Sequence, residues 1–224
     1  MNLEQLRGKL IISCQAPWGS PLNEPAIISA MALTAEQEGA AGVRLNYPVN
    51  IQASRERVSI PIIGIEKVVT TGFEVYITPT FAIAEKLAQS GSDIIALDAT
   101  RRARPNGEII EELIPRINRE LQLPVMADIA TYEEGLFAAD CGADIVATTL
   151  CGYTAESQGT PLPALNLLEN LAKKLSVPII CEGGVASPED LRRAFDAGAF
   201  AVVVGTAITG ITQLVQQFVR ATRS

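Results

Sequence analysis

Pro124-Val125-Met126-Ala127, Thr131-Tyr132-Glu133-Glu134 and Gly142-Ala143-Asp144-Ile145-Val146 follow one another along residues 124–146. The first group is a proline leading a short aliphatic run without polar alternation, the pattern of a strand covered on both faces, as in a parallel sheet. The second has the spacing of a capping box and predicts a helix start. The third opens with glycine, which suits the left-handed position just after a helix, and then resumes an aliphatic run. Together they read strand, helix, strand.

The same grammar runs through the chain. Proline leads Pro61-Ile62-Ile63-Gly64-Ile65 and Pro178-Ile179-Ile180-Cys181, and glycine leads the runs that start at Gly39, Gly91 and Gly198. The four such glycines, at 39, 91, 142 and 198, are spaced to hold two strand–helix units each. Leu10 to Ser13 supplies an eighth strand. Ser187-Pro188-Glu189-Asp190 marks another helix start, and Pro115 predicts a kink or break in a helix over 108–121. Eight strands alternating with helices predict a (β/α)8 TIM barrel, one domain over 1–224. An open doubly wound sheet shares this alternation, since strand count alone does not force closure.

The chain has 224 residues, 48% of them hydrophobic, enough to bury one large core. Lys and Arg number 18 against 25 Asp and Glu, and a net charge of −7 offers no general field for a nucleic acid or an anionic membrane. No histidine occurs, which excludes Ser-His-Asp and Cys-His nucleophile systems and imidazole acid–base chemistry. Proton transfer falls to Lys, Asp, Glu, Tyr or Cys. Cys14, Cys141, Cys151 and Cys181 are far apart and form no Cys-x-x-Cys pair, so no metal site is expected and the thiols read as free in a reducing cytoplasm. Met1 to Leu10 is charged and lacks the apolar core of a secretion signal. The charge-free stretch 197–219 contains Gly205-Thr206, Gly210, Gln213, Gln216 and Gln217, and reads as strand, turn and helix rather than as a membrane span.

In a barrel the loops after the strands form the active-site face. The polar residues taken at the strand exits are Gln15, Arg44, Lys67, Asp98, Asp128, Thr148, Glu182 and Thr206. Charges converging on a barrel mouth must be paired or used. Two glycine-rich exits come last, Glu182-Gly183-Gly184 and Val204-Gly205-Thr206-Ala207. After the seventh and eighth strands such backbone is placed to bind a phosphate with Gly183, Gly184, Gly205, Thr206 and Ala207. There is no Walker loop and no Gly-x-Gly-x-x-Gly, so no nucleotide cofactor is expected. Cys14 and Cys181 immediately precede Gln15 and Glu182, and a period of two turns the thiols away from the interior. Arg101, Arg102 and Arg104 read equally as mouth residues and as a loop braced by Asp98 and Glu108.

At these residues the sequence resembles the N-acetylmannosamine-6-phosphate 2-epimerase family. The resemblance rests on Ser13-Cys14-Gln15-Ala16, Gly42-Val43-Arg44, Gly64-Ile65-Glu66-Lys67, Ile77-Thr78-Pro79-Thr80, Met126-Ala127-Asp128-Ile129, Thr148 to Thr154, Glu182-Gly183-Gly184 and Val204 to Thr209. It implies interconversion of N-acetylmannosamine 6-phosphate and N-acetylglucosamine 6-phosphate in sialic-acid catabolism, with Lys67 as base and acid and Glu182 as its acidic partner. It also implies that Gln15, Arg44 and Asp128 hold the sugar, and it favours a cofactor-free homodimer. Tyr153 sits in a loop long enough to close over a sugar. The chain departs from the family at Val185 and at Gly210-Ile211, where the family often has arginine, and in a long first loop, Pro17 to Pro25, which carries Trp18.

Removal of the C2 proton calls for a neutral amine, whereas lysine is ordinarily protonated at neutral pH. Desolvation and Arg44 would lower the Lys67 pKa and Glu182 would raise it, so the net direction is open at the level of sequence. Another phosphosugar isomerase, a Schiff-base lyase using Lys67, and a phosphosugar-binding protein without turnover are the alternatives.

Overall fold

The structure is a computed structural model that describes residues 2–222. Eight parallel strands close a barrel in chain order: β1 (Lys9–Cys14), β2 (Gly42–Asn46), β3 (Ile62–Ile65), β4 (Ile94–Asp98), β5 (Val125–Asp128), β6 (Ile145–Ala147), β7 (Ile179–Glu182) and β8 (Ala201–Val204). Closure is made by β1 on β8, with Ile11 opposite Val203, and this decides against the open sheet. Around the strands lie α1 (Pro25–Gln37), α2 (Pro48–Arg55), α3 (Phe81–Gln89), α4 (Ile110–Leu121), α5 (Tyr132–Asp140), α6 (Leu165–Lys174) and α7 (Pro188–Asp196), followed by α8 (Thr206–Thr209) and α9 (Ile211–Ala221).

Local chemistry sets these boundaries. Thr131 accepts from the Glu134 N–H while the Glu134 carboxylate accepts from the Thr131 N–H, a reciprocal cap worth about 1 kcal/mol. At α7 the Ser187 hydroxyl oxygen accepts the Asp190 N–H, with Pro188 in the first turn. Gly39, Gly91, Gly142 and Gly198 all take positive φ, between 92° and 97°, as the strand openings required. Pro115 does not split its helix. It lies in the second turn of α4, where the hydrogen bond it cannot make would go to the carbonyl of Glu111, a residue on the exposed side of the helix.

Alternation along the strands builds two apolar layers. Ile11, Ile63, Ile94, Met126, Ile145, Ile180 and Val203 fill the barrel, while Ile12, Val43, Ile62, Ile95, Val125, Val146 and Val202 face the helices. Cys14 and Cys181 belong to the outer layer, and burial pushes both thiols up to about 12. The N-terminal end is closed by a short 3-10 helix, Leu3–Leu6, whose Leu6 is fully buried, and by Phe200 under the Arg7 guanidinium. With that end sealed, the opening is at the C-terminal ends of the strands.

Candidate active site

A cavity of about 700 Å³ occupies this mouth, in the range of small-ligand sites. Its floor is an ion-pair cluster. Arg44, inward-facing on β2, donates from its two terminal nitrogens to both oxygens of Asp128, at 3.0 and 2.6 Å, and from one of them to Glu182 Oε2 at 2.6 Å. Arg44 is 1% exposed and Asp128 is fully buried, so the sequence-predicted Arg44 and Asp128 meet beneath the cavity with their charges paired to each other. Burial opposes the Arg44 charge, but Asp128 and Glu182 outweigh it and hold the guanidinium protonated.

Glu182, the last residue of β7, divides its two oxygens. Oε2 takes Arg44 and, at 3.3 Å, the Thr149 hydroxyl, whereas Oε1 has no hydrogen-bond partner among the described residues. Burial raises the Glu182 pKa and Asp128 adds to it, against the opposing pull of Arg44. Lys67 lies two residues beyond β3, where it forms an isolated antiparallel bridge with Ile77. Val68 N–H to the Tyr76 carbonyl (2.8 Å) and Thr78 N–H to the Glu66 carbonyl (2.8 Å) complete a small hairpin. The exposed surface of Lys67 opens on the cavity, whose walls lower its pKa by desolvation, with Arg44 lowering it further against Glu182 and Asp128. Thus the open question of direction resolves downward.

Gln15 follows β1 and donates to Ser13 Oγ at 2.7 Å, leaving its carbonyl oxygen for the cavity. Gly183, Gly184, Gly205, Thr206 and Ala207 line one side. The first N–H groups of α8 have no acceptor within the helix. Gly184 has φ 72°, and a Cβ there would overlap Leu162 in the loop after β6. Tyr153, at the rim of that loop, is 61% exposed. Arg102 and Arg104 stay outside the cavity, bound to Asp98, and Arg101 stacks on Phe137 at 4.3 Å.

Thr149, Asn46, Tyr76 and Tyr47 line the cavity but were not among the polar strand-exit residues. Thr148 points outward and exchanges hydrogen bonds with the Glu182 backbone, so the inward residue is Thr149, which donates to Asp128 at 2.6 Å. Asn46 lies two residues after Arg44 on the same face of β2, so a period of two could have found both. Tyr76 enters through the hairpin after β3, and Tyr47 precedes α2 with an unusual φ of 77°. The Tyr47 ring meets Trp18 edge-on at 5.5 Å, which brings the long first loop to the cavity wall.

A family model described as "Putative N-acetylmannosamine-6-phosphate epimerase" matches residues 28–224. The chain belongs to this family. A relative from Synechococcus elongatus is 52% identical, over 98% of this chain and 96% of its own length, and one from Thermosynechococcus vestitus is 53% identical over 100% and 98%. Both carry the name "Putative N-acetylmannosamine-6-phosphate 2-epimerase". The solved N-acetylmannosamine-6-phosphate 2-epimerase from Clostridium perfringens superposes with a TM-score of 0.92 at 42% identity, covering 97% of this chain and 95% of that one. Thiamine phosphate pyrophosphorylase from Pyrococcus furiosus, at 16% identity and TM-score 0.62, shares the fold alone. Family membership puts a carbohydrate epimerase, an isomerase, on this barrel. No helix of the described residues is long and apolar enough to cross a membrane.

Proposed function

We propose that the protein interconverts N-acetylmannosamine 6-phosphate and N-acetylglucosamine 6-phosphate by removing the C2 proton and returning one to the opposite face, without metal or nicotinamide. The observation that carries this reading is the pairing across the mouth of a lysine whose pKa is lowered and a carboxyl whose pKa is raised. They extend from β3 and β7, four strands apart in a ring of eight. Two proton-transfer groups on opposite walls can serve opposite faces of one carbon, the geometry that inversion requires.

Once the ring is open, the C1 aldehyde acidifies C2. Neutral Lys67 takes the proton, the charge passes to the C1 oxygen, and Glu182 returns a proton from Oε1, with the roles exchanged in the reverse direction. Gln15 and Tyr153 contact the sugar, and Arg44 with Asp128 fixes the floor against which it rests. The 6-phosphate binds the N–H groups around Gly183, Gly184, Gly205, Thr206 and Ala207. Val185 is 7% exposed, and a side chain at Gly210 would come within 2.6 Å of the Thr206 carbonyl, so backbone takes the place of the family's arginines. We assign the enzyme to amino-sugar and sialic-acid catabolism in the cytoplasm. We also assign it a homodimer that covers the exposed Val215 and Phe218 of α9.

Proton NMR of N-acetylmannosamine 6-phosphate with the protein in D2O tests the reaction. N-acetylglucosamine 6-phosphate with deuterium at C2 is expected, and an unchanged spectrum with folded protein rejects it. The lowered pKa of Lys67 also suits Schiff-base formation, which borohydride trapping would reveal. Gly205→Val tests the phosphate site. A Cβ there would lie 3.3 Å from Ser13 Cβ and its methyl groups would crowd the N–H cluster, so KM should rise about tenfold or more with a smaller change in kcat. An unchanged KM would remove this segment from the site.

A further inference from the structure

We propose that Asn46 is a catalytic residue whose side-chain amide donates a hydrogen bond to the C1 oxygen as it gains charge. This assignment rests on the epimerase reading above. Asn46 Oδ1 accepts the backbone N–H of Lys67 at 3.0 Å. An N–H can be met only by an acceptor, so this bond fixes which end of the amide is oxygen and sends Nδ2 the other way. Asn46 faces inward on β2 and lines the cavity at 4% exposure, and its Nδ2 has no hydrogen-bond partner among the described residues. Nδ2 keeps accessible surface, so this donor without a protein partner is open to a ligand in the cavity.

The cation Arg44 is not placed to do this work, since its unpaired Nε is enclosed away from the cavity. Both terminal nitrogens of Arg44 are engaged by carboxylates and the group is 1% exposed, so an enolate oxygen would have to displace Asp128 or Glu182 to reach them. The oxygen in question is two bonds from C2, the carbon that Lys67 deprotonates. The donor must therefore sit beside Lys67, and Asn46 is joined to Lys67 directly. Because the same side chain pins the base and presents the donor, the two are held in one fixed relation, and little reorganisation is needed as charge develops.

Asn46→Asp separates donation from positioning, since a carboxylate still accepts the Lys67 N–H but offers no donor. Its charge would raise the Lys67 pKa and shift the acid limb of the pH profile upward, so rates are compared on the plateau of each profile. We expect C2 exchange in D2O with kcat about 100-fold below the unaltered protein and KM within a few-fold, in a variant that still unfolds cooperatively. A plateau kcat within threefold overturns the assignment. Should this variant fail to fold, a crystal structure of the unaltered protein with N-acetylglucosamine 6-phosphate decides. Nδ2 within hydrogen-bond reach of the C1 oxygen supports the role, and Nδ2 turned to another atom overturns it. Absence of C2 exchange in the unaltered protein rejects the epimerase reading itself, and the role of Asn46 with it.

Discussion

Lys67→Ala is expected to lower the rate of C2 exchange by about 10³-fold or more while leaving the melting temperature within a few degrees. General acid–base catalysis is ordinarily worth about 10² to 10⁴, and here the same group must also accept the proton in its uncharged form. The pH profile gives the direction a second check. The Lys67 pKa lies below its ordinary 10.5, so kcat/KM should rise with pH and level off below that value. The variant should have lost that limb. Stability follows the opposite logic to a salt-bridged lysine. Because the folded pKa is the lower one, the unfolded chain binds more protons in the window between the two, and stability rises with pH there. Below that window the ammonium is a burden on the fold, so deleting it costs little. A normal exchange rate in Lys67→Ala would sink the mechanism, and a collapse of the melting temperature would mean that Lys67 is structural.

Arg44→Met should be the most destabilising single change at the mouth. It leaves Asp128 fully buried with only the Thr149 hydroxyl, and it strips Glu182 Oε2 of its 2.6 Å partner. Removing one member of a buried ion pair costs about 3–5 kcal/mol, because the surviving charges keep their desolvation penalty. Arg44 also opposes the rise of the Glu182 pKa, so its loss sends that pKa higher still. A carboxyl whose folded pKa exceeds its unfolded one makes the chain lose stability as pH rises from the unfolded value to the folded one. The deficit of Arg44→Met relative to the unaltered protein should therefore be smaller at pH 5 than at pH 8. Thermal unfolding at the two pH values checks this, and an equal deficit at both would show that the lost packing of the side chain, not stranded charge, sets the cost.

The barrel was legible because its signals are local and repeated. A proline or glycine before seven of the eight aliphatic runs, the Thr131 and Ser187 caps, and the alternation that turns Cys14 and Cys181 outward can all be read without knowing what lies across the sheet. Taking polar residues at the strand exits found Lys67 and Glu182, but it chose Thr148 where the fold uses Thr149, because β6 ends on the inward Ala147 and the next residue must face out. Asn46 was hidden behind Arg44 for the reverse reason, since the strand carries two polar residues on one face. The hairpin that holds Lys67 is less readable. It depends on a bridge to Ile77 and on the Asn46 amide, both distant in the chain. Pro115 lies inside the continuous helix α4, so a proline alone does not mark where a helix ends.

Tyr47 sits at φ 77°, ψ 136°, a backbone conformation that suits glycine and costs a larger residue about 1–3 kcal/mol. The chain turns sharply there, while its N–H still reaches the Ile65 carbonyl at 3.0 Å. Glycine would make that corner at ease but would leave Trp18 without the ring it meets edge-on. The aromatic rim of this mouth is thus bound to a conformational debt in the main chain directly after Asn46. Relaxing that corner would loosen two things together, the wall that narrows the entrance and the residue that steadies the base.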